Sequence, residues 1–149
     1  MQQSRDQLID ALVATYRELN TRVRPLGEDR LSAASGNGES VRSIVDRMRI
    51  DELRFAQALK ERITGVPLSR SDDEEAPVIG TETPDDPTVV LISQFGTARA
   101  TTLTMLKGLS DEEWAATLDD GKSIHDHVTE LVDSDRRHLQ RINQLLGAA

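Results

Sequence analysis

The chain contains no cysteine. Disulfides, thiolate catalysis and cysteine-type zinc sites are excluded together. Aromatic residues make up only 3% of the 149 positions, so a core must be aliphatic, and platforms for stacking nucleic-acid bases are lacking. No window approaches the roughly 18 uncharged apolar residues of a membrane span. The opening stretch, MQQSRDQLID, has neither a basic n-region nor an apolar h-region, so nothing in it directs export. A soluble protein of the reducing cytoplasm is expected. A basic face is missing too. Residues 1–66 carry net +1, residues 67–87 net −6 and residues 88–149 net −3. Most of the formal charge of −8 therefore sits in one connector, around Asp72, Asp73, Glu74, Glu75 and Glu82. This distribution predicts no nucleic-acid partner and no membrane-surface role.

What the chain does have is helical periodicity, in four segments. In the first, Leu8, Leu12, Val13, Tyr16, Leu19 and Val23 recur at helical spacing, Ser4 with Gln7 forms a capping-box pattern, and Pro25 with Gly27 ends it. A loop follows through Ser35, Gly36, Asn37 and Gly38. The second segment opens at Ser40, lines one face with Val41, Ile44, Val45, Met48, Phe55, Leu59 and Ile63, and closes at Gly65 and Pro67. Ile50 and Leu53 lie off that face and offer a second apolar contact, for which a homodimer interface is one use. Residues 66–86, acidic and proline-containing, read as a long irregular connector. The third segment starts with Asp86 as cap and Pro87 at its first position. Its stripe is Val89, Ile92, Phe95, Leu103, Leu106 and Leu109. Gly96 inside it costs about 1 kcal/mol against Ala, which is tolerable where a neighbouring backbone approaches. Ser110 to Trp114 reads as a short helical turn. The last segment is capped by Ser123, with Asp126 at the third helical position. Ile124, Val128, Leu131, His138, Ile142 and Leu145 form its inner face, and Gly147 is its C-terminal cap. The expected fold is a single all-α domain over residues 1–149, a four-helix bundle with a long connector between helices 2 and 3.

Few residues carry recognisable chemistry. Carboxylate-bridged di-iron bundles need two Glu-x-x-His pairs, and the nearest pattern is Asp135-x-x-His138, once. Phosphate loops, His-Glu-x-x-His and nucleophile elbows are absent. His125 is expected at the solvent face, His127 on the edge shared with Leu131, Ser134 and His138, and His138 within the apolar stripe.

Two stretches carry a resemblance. They are GESVRSIVDRMRIDE over 38–52 with RFAQAL over 54–59, and GKSIHDHVTELVDSDRRHLQRI over 121–142. With the order of parts, they resemble the DinB-like family, which includes the mycothiol-dependent maleylpyruvate isomerase type of bundle. The resemblance implies a three-histidine metal site, with one ligand on the second helix and two on the fourth at i, i+4, a spacing that puts both rings on one face. Carried over, those positions are Arg47, Ser134 and His138. Only the last is a histidine. A guanidinium repels a divalent cation and a serine hydroxyl is a poor ligand for zinc-like metals. Glu39 also stands where the family often has an aromatic residue. Asp51 and Asp135 are candidate oxygen ligands, although Asp51 is more simply the partner of Arg47, one turn away. The expected site is thus degenerate, without metal or other cofactor. Arg47, Ser134 and His138, supported by Asp51, His127 and Asp135, then form either a cleft for a small carboxylate or phosphate or a structural plug. On this reading the protein is a binding or interaction module. The alternative implied by the resemblance is a metal-dependent, thiol-cofactor transferase or isomerase.

Overall fold

The computed structural model describes residues 3–65, 86–118 and 120–147. Among them every regular element is helical, and a single isolated bridge joins Thr117 and Ser123. Four helices are long. Helix α1 (Arg5–Glu18) runs on into a π-helical turn, Leu19–Val23, closed by the Arg24 N–H donating to the Leu19 carbonyl at 2.9 Å. Helix α3 is Val41–Thr64, α4 is Thr88–Gly108 and α6 is Ile124–Leu145. Two short helices, α2 (Glu28–Ser32) and α5 (Asp111–Ala115), lie in the connections before α3 and α6. Among the described residues, no helix is long and apolar enough to cross a membrane.

Helix starts follow the local chemistry. Ser4, Ser40, Ser110 and Ser123 each accept from the backbone N–H three residues on, and the side chain there accepts from the cap in return. Two otherwise unmet N-terminal N–H groups are satisfied at each start. At the far ends, Gly65 (φ 71°) and Gly147 (φ 70°) take the left-handed conformation that ends a helix. Helix α4 departs from expectation. Pro87, not Asp86, is its cap residue, and Pro87 makes no side-chain cap. The cap comes from α2 instead: Glu28 Oε1 accepts from the Thr88 N–H at 2.9 Å and Glu28 Oε2 accepts from the Thr88 hydroxyl at 3.1 Å. A carboxylate there also complements the positive end of the helix dipole. The Asp86 carbonyl is used elsewhere, accepting from the Arg42 guanidinium at 2.8 Å.

Cross-helix contacts give the directions. Arg42 lies beside Asp86, and Glu52 beside Arg99 further along, so α3 and α4 run parallel. Thr15 bonds Asp135 and Arg22 bonds Asn143, so α1 and α6 are parallel as well. Arg5 reaches Leu106 while Arg24 reaches Ser93, which makes α1 and α4 antiparallel. The order is up, down, down, up, and each long helix packs on two others, most extensively α3 on α4. Gly65 and Asp86 therefore lie at opposite ends of a bundle roughly 36 Å long, the length of a 24-residue helix. The connector expected at 66–86 lies, apart from Asp86, outside the described residues.

The core has two apolar halves. One gathers Leu19, Val23, Leu31, Val45, Met48, Leu91, Ile92, Phe95 and Ile142 among others. The second gathers Leu8, Leu12, Leu59, Leu106, Trp114, Ile124, Val128 and Val132. Between them lies a layer of polar side chains.

Candidate functional site

Each long helix contributes one interior polar residue to that layer. In α1, Thr15 falls between Leu12 and Leu19. In α3, Glu52 falls between Met48 and Phe55. In α4, Arg99 follows Phe95, and in α6, Asp135 follows Val132. All four are on the inner face, with exposures of 4%, 0%, 1% and 4%. Arg99 is the hub. Its Nη1 donates to Asp135 Oδ2 at 3.0 Å and to the Leu12 carbonyl at 2.8 Å. Its Nη2 donates to Glu52 Oε1 at 2.9 Å and to Asp135 Oδ1 at 3.2 Å. The Thr15 hydroxyl adds a bond to Asp135 Oδ2 at 2.8 Å, and the guanidinium carbon lies 4.8 Å from the centre of the Phe95 ring. Burial pushes the Arg99 pKa down, but the Glu52 and Asp135 carboxylates outweigh it and hold the pKa above its ordinary value. The guanidinium is permanently charged and faces two carboxyl groups away from water. Among the described residues, Glu52 Oε2, Arg99 Nε and Thr102 Oγ1 find no hydrogen-bond partner. A second buried pair, Asp46 with Arg49 at 2.8 Å, lies along α3.

Arg99 and Glu52 carried no expectation from the sequence. The signal was present: each long helix has a polar residue at an inner-face position near its middle, among apolar neighbours three or four residues away. Reading the stripes one helix at a time treats such a residue as a gap. Setting all four side by side shows one base facing two acids and a hydroxyl.

The positions carried over from the resemblance fall beside this layer. Arg47 is exposed, and Ser134 and His138 are half-buried. The inner face of α6 is turned about one position from the expected one. Val128, Val132, Asp135 and Ile142 are buried, while Leu131 and His138 lie on the flank. Burial pushes the His138 pKa below the usual histidine value; Asp51 and Asp135 pull it up, and Arg137 and Arg47 push it down. His138 thus faces Arg47 and Asp51 across the α3–α6 seam. No ion pair joins Arg47 to Asp51 among the described residues. Asp135, considered as an oxygen ligand, has both oxygens engaged by Arg99. These residues do not fit a divalent cation, and among the described residues no three His, Asp or Glu side chains converge to hold one.

The other histidines are placed elsewhere. His125, expected at the solvent face, is half-buried; its Nε2 is 2.9 Å from the Gln3 carbonyl and its ring meets Trp114 edge-on at 6.2 Å. His127 Nε2 pairs with Asp120 at 2.7 Å, away from His138. Ile50, considered for a dimer surface, is buried within the single chain, and Leu53 is half-buried.

Compared with known proteins, the chain matches no family model and no curated protein.

Proposed function

We propose that this chain is a DinB-like helical domain that works by binding rather than by metal catalysis, its former metal position reduced to Arg47, Ser134 and His138. The observation that carries the reading is the state of Asp135. It is the acid nearest in sequence to His138, and Arg99 and Thr15 occupy both of its oxygens inside the bundle. The exposed guanidinium of Arg47 supports it, because a fixed positive charge facing His138 opposes a divalent ion. Four long helices, with residues 66–85 joining the second to the third, match the order of parts on which the resemblance rests.

Elemental analysis of the purified protein, with melting curves in added zinc or nickel, tests the reading. A site filled at 100 times its Kd would raise the melting temperature of a domain this size by roughly 5–10 °C. The expected result is no stoichiometric metal and no such shift. The double variant Arg47→His/Ser134→His, which restores the family's ligand set around His138, is expected to gain both. Stoichiometric metal in the unmodified protein would overturn the reading in favour of a metal-dependent, thiol-cofactor transferase or isomerase. Failure of the double variant to bind would show that the positions were carried over wrongly.

A further inference from the structure

At the end of the bundle where α3 finishes and α6 begins, a cleft opens between the two helices. Phe55, Ala58, Leu59, Leu118 and Ile124 wall it with apolar surface, and its volume is about 110 Å³. Leu118 is brought there by the tight turn before α6, where its N–H donates to the Lys122 carbonyl at 2.7 Å. Arg62 and His127 stand at the rim, with Glu61 and Asp120 around the wider mouth.

The rim's carboxylates are already engaged. Asp120 Oδ2 is 2.7 Å from His127 Nε2, and Asp120 Oδ1 accepts from the Lys122 N–H at 3.0 Å. The Lys122 N–H is the main cause holding the Asp120 carboxyl below its ordinary pKa, and His127 adds to it. Glu61 Oε2 accepts from Gln57 at 3.2 Å. Arg62 is exposed and has no ion pair or hydrogen bond among the described residues. Among the described residues, the cleft therefore offers an apolar pocket with a cation at its lip that no carboxylate engages.

We propose that this cleft binds a small organic acid, with a short branched aliphatic body among Phe55, Leu118 and Ile124 and its carboxylate on Arg62. The size follows from the volume. An apolar cavity of about 150 Å³ holds benzene, so this somewhat smaller one takes a body of about four or five carbons. The charge follows from the fork of the guanidinium, which matches a carboxylate in two parallel hydrogen bonds. Along α3 the cleft lies about two to four turns beyond Arg47, and it does not depend on whether the His138 position holds metal.

Titration of the full chain with isovalerate, isovaleramide and 3-methylbutylamine, followed by ¹H–¹⁵N correlation spectra, tests the proposal. Isovalerate is expected to shift the amides of Phe55, Leu118 and Ile124 saturably, and to bind about tenfold more tightly than the neutral amide because it alone is charged. Arg62→Gln is expected to erase that preference while leaving weak binding of both. Ala58→Leu is expected to fill the cleft and abolish both. Both positions are exposed and helical, and circular dichroism checks that the variants fold. The proposal is overturned if isovalerate gives no saturable shift, if amide or amine binds as tightly, or if Ala58→Leu binds unchanged.

Discussion

His138 sits between charges of both signs, and burial decides its state. Its pKa in the fold lies below the ordinary histidine value of about 6.5. As pH falls, the unfolded chain therefore takes up this proton before the folded one does. The stabilisation is fully present above about pH 6.5 and is lost as pH drops through the folded pKa, below which this group adds no further loss. Melting temperatures of the unmodified protein and of His138→Gln, measured from pH 8 to pH 5, should differ in slope. The unmodified protein should fall more steeply below pH 6.5. Parallel curves would show that burial does not hold this ring neutral. The sequence pattern placed His138 in the stripe of α6, close to where it lies. It did not show that the interior position three residues earlier belongs to Asp135, because neighbouring stripes one position apart contain nearly the same apolar residues.

At the scale of elements, α1 and α4 meet where one lacks a side chain. A Cβ placed on Gly96 would stand 2.3 Å from Tyr16 Cζ and 2.6 Å from its hydroxyl. The neighbour is thus an aromatic side chain of α1 and not, as the sequence led one to expect, a backbone. Tyr16 also packs against Phe95, with ring centres 6.3 Å apart, so moving it aside disturbs a second contact. Alanine is the better helix former by about 1 kcal/mol. Gly96→Ala should nevertheless destabilise the protein by about 1–3 kcal/mol, the cost of overpacking. In a Tyr16→Ala background the sign should reverse, and Ala at 96 should stabilise by about its intrinsic preference. Urea denaturation of the four proteins closes this cycle, and destabilisation in both backgrounds would rule out the Tyr16 contact as the cause. The cap of α4 teaches the same lesson. Glu28 lies 60 residues from Thr88 in the chain, so only the packing of α2 on the bundle makes it a cap.

For the whole molecule, the layer of Thr15, Glu52, Arg99 and Asp135 is where all four long helices meet. Sliding α3, α4 or α6 by a turn would strand a charged group in an apolar half of the core, so the layer opposes those wrong registers. It does so without being fully satisfied, since three of the buried polar atoms around it lack partners among the described residues. Removing the cation alone should therefore be severe. Arg99→Met leaves two buried carboxylates unpaired and should cost about 3–5 kcal/mol. The triple variant Glu52→Leu/Arg99→Met/Asp135→Leu should recover most of that loss, because apolar residues of similar volume replace a buried ion network at little or no cost. The Thr15 hydroxyl would turn to the Ala11 carbonyl, which lies 3.2 Å away. Chemical denaturation of the two variants checks this, and a triple variant as unstable as the single one would show that the ion network itself supplies net stability.

By itself the sequence determined the four long helical segments, the serines that cap α1, α3, α5 and α6, and an all-α fold. Serine caps, terminal glycines and apolar spacing act over a few residues, so they can be read from a few residues. Tertiary structure alone decided the rest. One residue along a helix is a rotation of about 100°, so whether Asp135 or His138 points inward depends on the helices packed against α6. Arg99 finds Glu52 and Asp135 because three helices bring them together, across 47 and 36 positions of chain. The apolar cleft at Arg62 likewise exists only because the turn holding Leu118 folds against the end of α3.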